Sequence, residues 1–134
     1  MKKYFVLIII MTFTVGLFAQ QKKAEITKAN CEINFKAYYK FIKSDANNYF
    51  YEIDLGKFST QFEKSYFMNQ VYNNNVLVSI DSDLSKSKIQ IMANIFHSEK
   101  KIFENLESII LNTETANSSF TQLEKQNWMN SKRK

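Results

Sequence analysis

The chain has 134 residues, 45% of them apolar or aromatic and 23% charged, with a formal net charge of +5. One cysteine excludes an internal disulfide, and one histidine excludes a metal site built on several imidazoles. Two glycines and no proline exclude phosphate loops, dinucleotide fingerprints and nucleophile elbows, all of which need clustered glycine.

Lys2 and Lys3 precede an uncharged apolar run from Tyr4 to Phe18, and Ala19 offers a small residue for cleavage before Lys22 and Lys23. This order predicts a secretory signal over residues 1–20, followed by a linker over 21–30. The apolar run between the flanking charges is about 16 residues, short of the roughly 20 that a bilayer-spanning helix needs. An uncleaved anchor is the alternative, because Leu17 is large for the position three before the cut. Cys31 lies too far past Ala19 to be a lipidation site. The lysines of the leader and the terminal Lys132, Arg133 and Lys134 account for the positive charge, so the domain between is close to neutral.

Cys31, Ile33, Phe35, Ala37, Tyr39 and Phe41 alternate with polar residues, which predicts a strand over 31–41. A helix over 26–43 is the alternative, since Ile26, Ile33, Ala37 and Phe41 can share one face. Residues 44–48 read as a turn. Tyr49, Tyr51, Ile53 and Leu55 alternate into a second strand that Gly56 ends. Ser59 is a helix cap ahead of Phe62 and Tyr66, and that helix stops at Asn73, Asn74 and Asn75. Val76, Val78 and Ile80 make a short strand, residues 81–87 a polar loop, and Ile89, Ile91, Ala93 and Ile95 its antiparallel partner. Ser98 caps a helix whose stripe is Ile102, Phe103, Leu106, Ile109 and Ile110. Glycine being scarce, Asn and Asp are expected at the turns, through left-handed backbone and side-chain bonds to their own main chain. The folded domain is placed at 31–112. Residues 113–134 read as a polar, partly disordered tail with Phe120, Leu123, Trp128 and Met129 as its apolar anchors, able to supply an edge strand or a docking helix.

The predicted class is α+β: a small antiparallel sheet with two helices on one face, a ferredoxin-like β-α-β-β-α core and an extra N-terminal strand or helix. The segments YFYEIDLG at 49–56 and VLVSIDSDLSKSKIQI at 76–91, with a helix between and another after, resemble the heavy-metal-associated domain of copper chaperones and metal-pump N-termini. The resemblance implies the scaffold for about half of the chain. That family grips a soft metal through a C-x-x-C pair, whose positions fall here on Ser59 and Phe62. Neither supplies a thiolate, so no metal residue carries over.

His97 has no second imidazole to join it, and Cys31 sits on an apolar face, where a free thiol packs as a small hydrophobe. Asp54, Asp81, Ser82 and Asp83 offer too few oxygens for a calcium loop, and Glu104 and Glu107 lie on the solvated helix face. Tyr49, Phe50 and Tyr51 lack the interleaved cations of a base-stacking sheet, and the basic end reads as a solubilising terminus. No catalytic, cofactor-binding or metal residue is assigned, and no cofactor is expected. The expected function is that of a small exported non-enzymatic binding or interaction domain, periplasmic or extracellular. Its partner is a protein or envelope component, with no nucleic acid, and with membrane contact only through an uncleaved leader. A degenerate heavy-metal-associated domain handling a soft ion is the alternative, and a Cys31-dependent enzyme or redox protein a third reading.

Overall fold

The computed structural model describes residues 33–133. The predicted leader, the linker and Cys31 lie outside the described residues. No helix among those residues is long and apolar enough to cross a membrane.

The chain is α+β. After a 3-10 turn at Phe35–Ala37 come β1 (Tyr39–Ser44), β2 (Asn48–Asp54), a second 3-10 turn (Leu55–Lys57) and α1 (Gln61–Tyr72). Then follow β3 (Leu77–Ser79), β4 (Lys88–Asn94), α2 (Glu99–Ser119) and α3 (Gln122–Lys132). The strands form one antiparallel sheet in the order β1-β2-β4-β3. From β2 to α2 this is the expected β-α-β-β-α core, and β1 is the extra strand, laid along the outer edge of β2.

Period-two alternation sorts the sheet's side chains. Tyr51 and Ile53 on β2, Ile89, Ile91 and Ala93 on β4, and Leu77 on β3 are buried on one face. The helices cover that face with Phe62, Phe67, Met68 and Val71 of α1 and with Ile102, Leu106, Ile109 and Ile110 of α2. The other face stays open, with Phe50, Glu52, Gln90, Met92 and Val78 along it. The short strand at 76–80 is therefore in its expected place, but Val78 and Ile80 are half exposed and Leu77 points into the core.

The strand predicted over 31–41 starts later, at Tyr39, in the part that is described. The hairpin register explains the delay. A tight turn at Asp45–Asn47 pairs Ser44 with Tyr49 and carries the pairing back to Tyr39 opposite Ile53. Asp54 N still donates to Tyr38 O at 2.8 Å, but beyond Asp54 the partner curls into its 3-10 turn, so the described residues before Tyr38 have no strand to pair with. A bulge between Phe41 and Lys43 kinks the outer strand.

The turns are made by Asn and Asp, but not through left-handed backbone: no described residue, glycine included, has a positive φ. Side chains do the work. Asp45 accepts from Asn47 N and Asn48 N at 2.8 and 2.7 Å, and Asn74 accepts from Val76 N and Leu77 N at 2.8 and 3.0 Å. Asp54 accepts from Gly56 N at 2.9 Å.

Thr60, one residue past the expected Ser59, caps α1 in a capping box with Glu63. Glu63 is 3% exposed and has four donors at its oxygens: Ser59 Oγ, Thr60 N and Thr60 Oγ1 on Oε2, and Asn117 Nδ2 on Oε1 at 3.0 Å. A buried carboxylate thus ties the start of α1 to the far end of α2.

Residues 113–133, read from sequence as a partly disordered tail, are mostly helical. The α2 stripe runs on through Thr113 and Ala116, both buried, and Thr113 hides its hydroxyl by donating to Ile109 O at 2.8 Å. Polar residues fill the remaining positions and mask that stripe. The expected boundary at 112 falls inside this helix. After Phe120, Thr121 and Glu124 form a second capping box that starts α3.

Candidate functional site

The residues singled out from sequence are spread over the fold. His97 sits in the turn between β4 and α2, where its N–H donates to Asn94 O at 3.0 Å. Asp81 pairs with Lys86 at 2.7 Å, which holds its carboxyl below the usual range, and Asp83 accepts from Ser85 Oγ and Ser85 N, with the same effect. Asp54 caps its own turn. Glu107 accepts from Tyr39 Oη at 3.4 Å, and Glu104 faces Lys100 at 3.8 Å. Ser59 donates to Glu63, and Phe62 is buried among rings. Among the described residues no three His, Cys, Asp or Glu side chains gather where they could hold a metal ion. A Cys31–His97 pairing lies outside the described residues.

Three tyrosines near the β1 edge are held neutral. Burial, then the Glu114 carboxylate that accepts from Tyr38 Oη at 2.8 Å, pushes that phenol well above its usual range. Tyr39 is pushed up to about 12 by burial, then by the charge of Glu107 and the bond to it. Burial chiefly raises Tyr51, with Glu99 and Tyr49 adding to it. Around neutral pH these groups are hydrogen-bond donors rather than bases. Alternation also separates the aromatic run: Tyr51 is in the core, while Phe50 lies on the open face under Lys43 Nζ, 5.1 Å from its ring centre.

The structure does expose one set of apolar side chains that the sequence reading left aside. At the end of the sheet formed by the β1–β2 turn and the exit of β4, Ile95 N donates to Asn47 O at 2.8 Å, locking the two loops to each other. Phe96 N donates to Asn94 Oδ1 at 2.9 Å, an Asx-type turn that holds its ring outward. Phe96 is 92% exposed and Ile95 beside it 38%; on β1, Phe41 and Ile42 are 50% and 40% exposed. Phe41 packs its inner side on Tyr51 and Tyr49, with centroids 5.8 and 6.5 Å apart, so its exposed side rests on a rigid aromatic shelf. The shelf continues into Tyr39 stacked on Phe103 at 5.8 Å. β1 is also an outer strand, with one row of backbone groups unpaired within the sheet.

This end can bind by apolar contact and by strand addition; it carries no arranged set of reactive groups. Its signal in the sequence is faint. Phe96 follows the last alternating strand residue and reads as one more apolar position, and nothing local says that the chain turns there. No family model, curated protein or solved structure matches this chain.

Proposed function

We propose that the chain is an exported, non-enzymatic binding domain that receives a protein partner of the cell envelope or exterior at the apolar end of its sheet. The observation that carries this is the 92% exposure of Phe96 on a fixed turn that the Ile95 N–Asn47 O bond ties to the β1–β2 turn, with Phe41 and Ile42 also exposed on β1. Aromatic anchors on a preorganised support are the residue type that dominates binding energy at protein interfaces. The unpaired edge of β1 adds a row of donors and acceptors for an extended partner segment. The bulge at Phe41/Lys43, with Lys40 and Lys43 beside it, discourages indiscriminate pairing of that edge. The leader read from residues 1–20 supplies the route out of the cytoplasm.

A photo-reactive phenylalanine analogue placed at position 96 in living cells tests the proposal. The same analogue at Tyr72, which is 59% exposed on α1, is the control. The expected result is a discrete protein adduct from position 96, absent from position 72, and lost when Phe41→Ser and Ile42→Ser are added. Identical adducts from both positions, or none from either, would overturn it.

A further inference from the structure

A second surface is built differently and does not depend on the sheet end. α3 leans on α1 through rings: Trp128 meets Phe62 edge-on with centroids 5.5 Å apart and Tyr66 at 5.2 Å, and Phe120 meets the same two at 5.6 and 6.2 Å. Beside this contact the two helices and the β3–β4 loop line an open groove of about 380 Å³. Small-ligand sites begin at roughly this size. Met68 on α1, Leu84 on the loop, and Trp128 and Met129 on α3 give it apolar walls. Gln61, Ser65 and Asn69 line the α1 side with neutral polar groups.

Among the described residues, the charged side chains lining the groove are Lys132 and Arg133, and no acid lines it. The nearest acids of the loop are turned to their own segment: Asp81 is paired with Lys86, and Asp83 is bonded by Ser85. Lys132 Nζ stands 5.7 Å from the centre of the Trp128 ring, so the cation is held at the wall. A depression of about 440 Å³ on the open sheet face contrasts with this. There Lys86 and Lys88 are already matched by Asp81 and Glu52, and no charge is left over for a ligand.

We propose that the α1–α3 groove binds a small amphiphilic anion of the fatty-acid class, its acyl chain lying against Met68, Leu84, Trp128 and Met129 and its carboxylate meeting Lys132 and Arg133. Charge complementarity selects this occupant. A purely apolar guest leaves two cations unanswered, and a cationic amphiphile meets them head-on. The α3 helix is roughly 16 Å long at 1.5 Å per residue, which suits a short acyl chain rather than a macromolecular surface.

Trp128 is the single tryptophan of the chain, so its fluorescence reports on the groove alone. The purified chain is titrated with decanoate, decanol and decyltrimethylammonium, each below the concentration at which it forms micelles, and Tm is followed in parallel. The expected result is a saturable change in Trp128 emission with decanoate and a rise in Tm. Decanol and the cation bind about fivefold more weakly or less, the ratio that one exposed ion pair supports. A Lys132→Gln/Arg133→Gln variant keeps its Tm and its response to decanol and loses the preference for decanoate. Equal responses to the three probes mean unspecific apolar adsorption, and no saturable response means no site. A fall in Tm with decanoate means that the acid pries α3 from α1. Each of these three would overturn the proposal, and none bears on the adduct expected at position 96.

Discussion

Tyr39 joins three jobs in one side chain. It opens β1 opposite Ile53, stacks on Phe103 and donates to Glu107. Burial, helped by that carboxylate, carries its pKa from 10.0 to about 12. An unfolded chain sheds this proton near pH 10 while the folded chain keeps it. The contribution is therefore complete below pH 10 and is lost as the pH climbs toward 12. Tyr38 and Tyr51 are shifted in the same direction and steepen the loss. Urea unfolding midpoints at pH 9 and pH 11 check this: the drop between them is expected to be smaller in Tyr39→Phe than in the parent, though not abolished. Glu63 shows a different economy. It is buried, and its donors come from a helix cap and an amide, so its carboxyl oxygens are satisfied by hydrogen bonds.

At the scale of elements, α3 is held unlike its neighbours. α1 and α2 each bury a full apolar stripe, whereas α3 has no buried residue. Its attachment is Trp128 on Phe62 and Tyr66, the Lys125 ammonium 5.5 Å over the Phe62 ring, and a 2.7 Å bond from Lys125 Nζ to Asn117 Oδ1. Removing the indole leaves little to hold the helix. Trp128→Ala is expected to cost about 2 kcal/mol, below the usual penalty for a fully buried tryptophan, because the ring is half-buried. The same variant is expected to raise amide exchange along α3 while α2 stays protected, since local opening follows the density of apolar contacts. Hydrogen exchange followed by mass spectrometry reads both helices in one experiment.

Over the whole molecule, cohesion comes from hydrocarbon and aromatic packing. Glu63 and Thr113 are the buried polar side chains among the described residues, and each has its hydrogen-bond partner. Nothing in such a core waits for an ion. The Tm is therefore expected to be the same, within error, before and after exhaustive treatment with a chelator; a drop of several degrees would mean that a bound metal contributes to the fold.

From Asn48 to Ile110 the elements could be read directly from the residues. There the alternation of Tyr49–Ile53 and Ile89–Ala93, the Asn73–Asn75 stop and the Ser98 cap are local signals that act within a few positions. Where tertiary pairing overrode the pattern, local reading went astray. The alternation over 31–41 suits a strand, but among the described residues strand pairing begins only at Tyr39, because β2 runs out at Asp54. Residues 113–132 look polar because their stripe is narrow and is interrupted by Thr113, whose hydroxyl is silenced by the turn before it. The side chains of both candidate sites were in view, but their gathering was not. The Ile95–Asn47 bond joins the Phe96 turn to the β1–β2 turn, and Trp128 meets Phe62 across a helix pair.

Periodicity, capping and turn chemistry act over single turns of helix or a few strand residues, so the sequence alone determined that this is an α+β chain, with α1, the first part of α2 and the inner strands where they are. Sheet order, the covered face, the docking of α3 and the exposure of Phe96 were decided only by the tertiary structure. Each depends on contacts between residues far apart in the chain, and no local pattern encodes which of several compatible surfaces ends up in water.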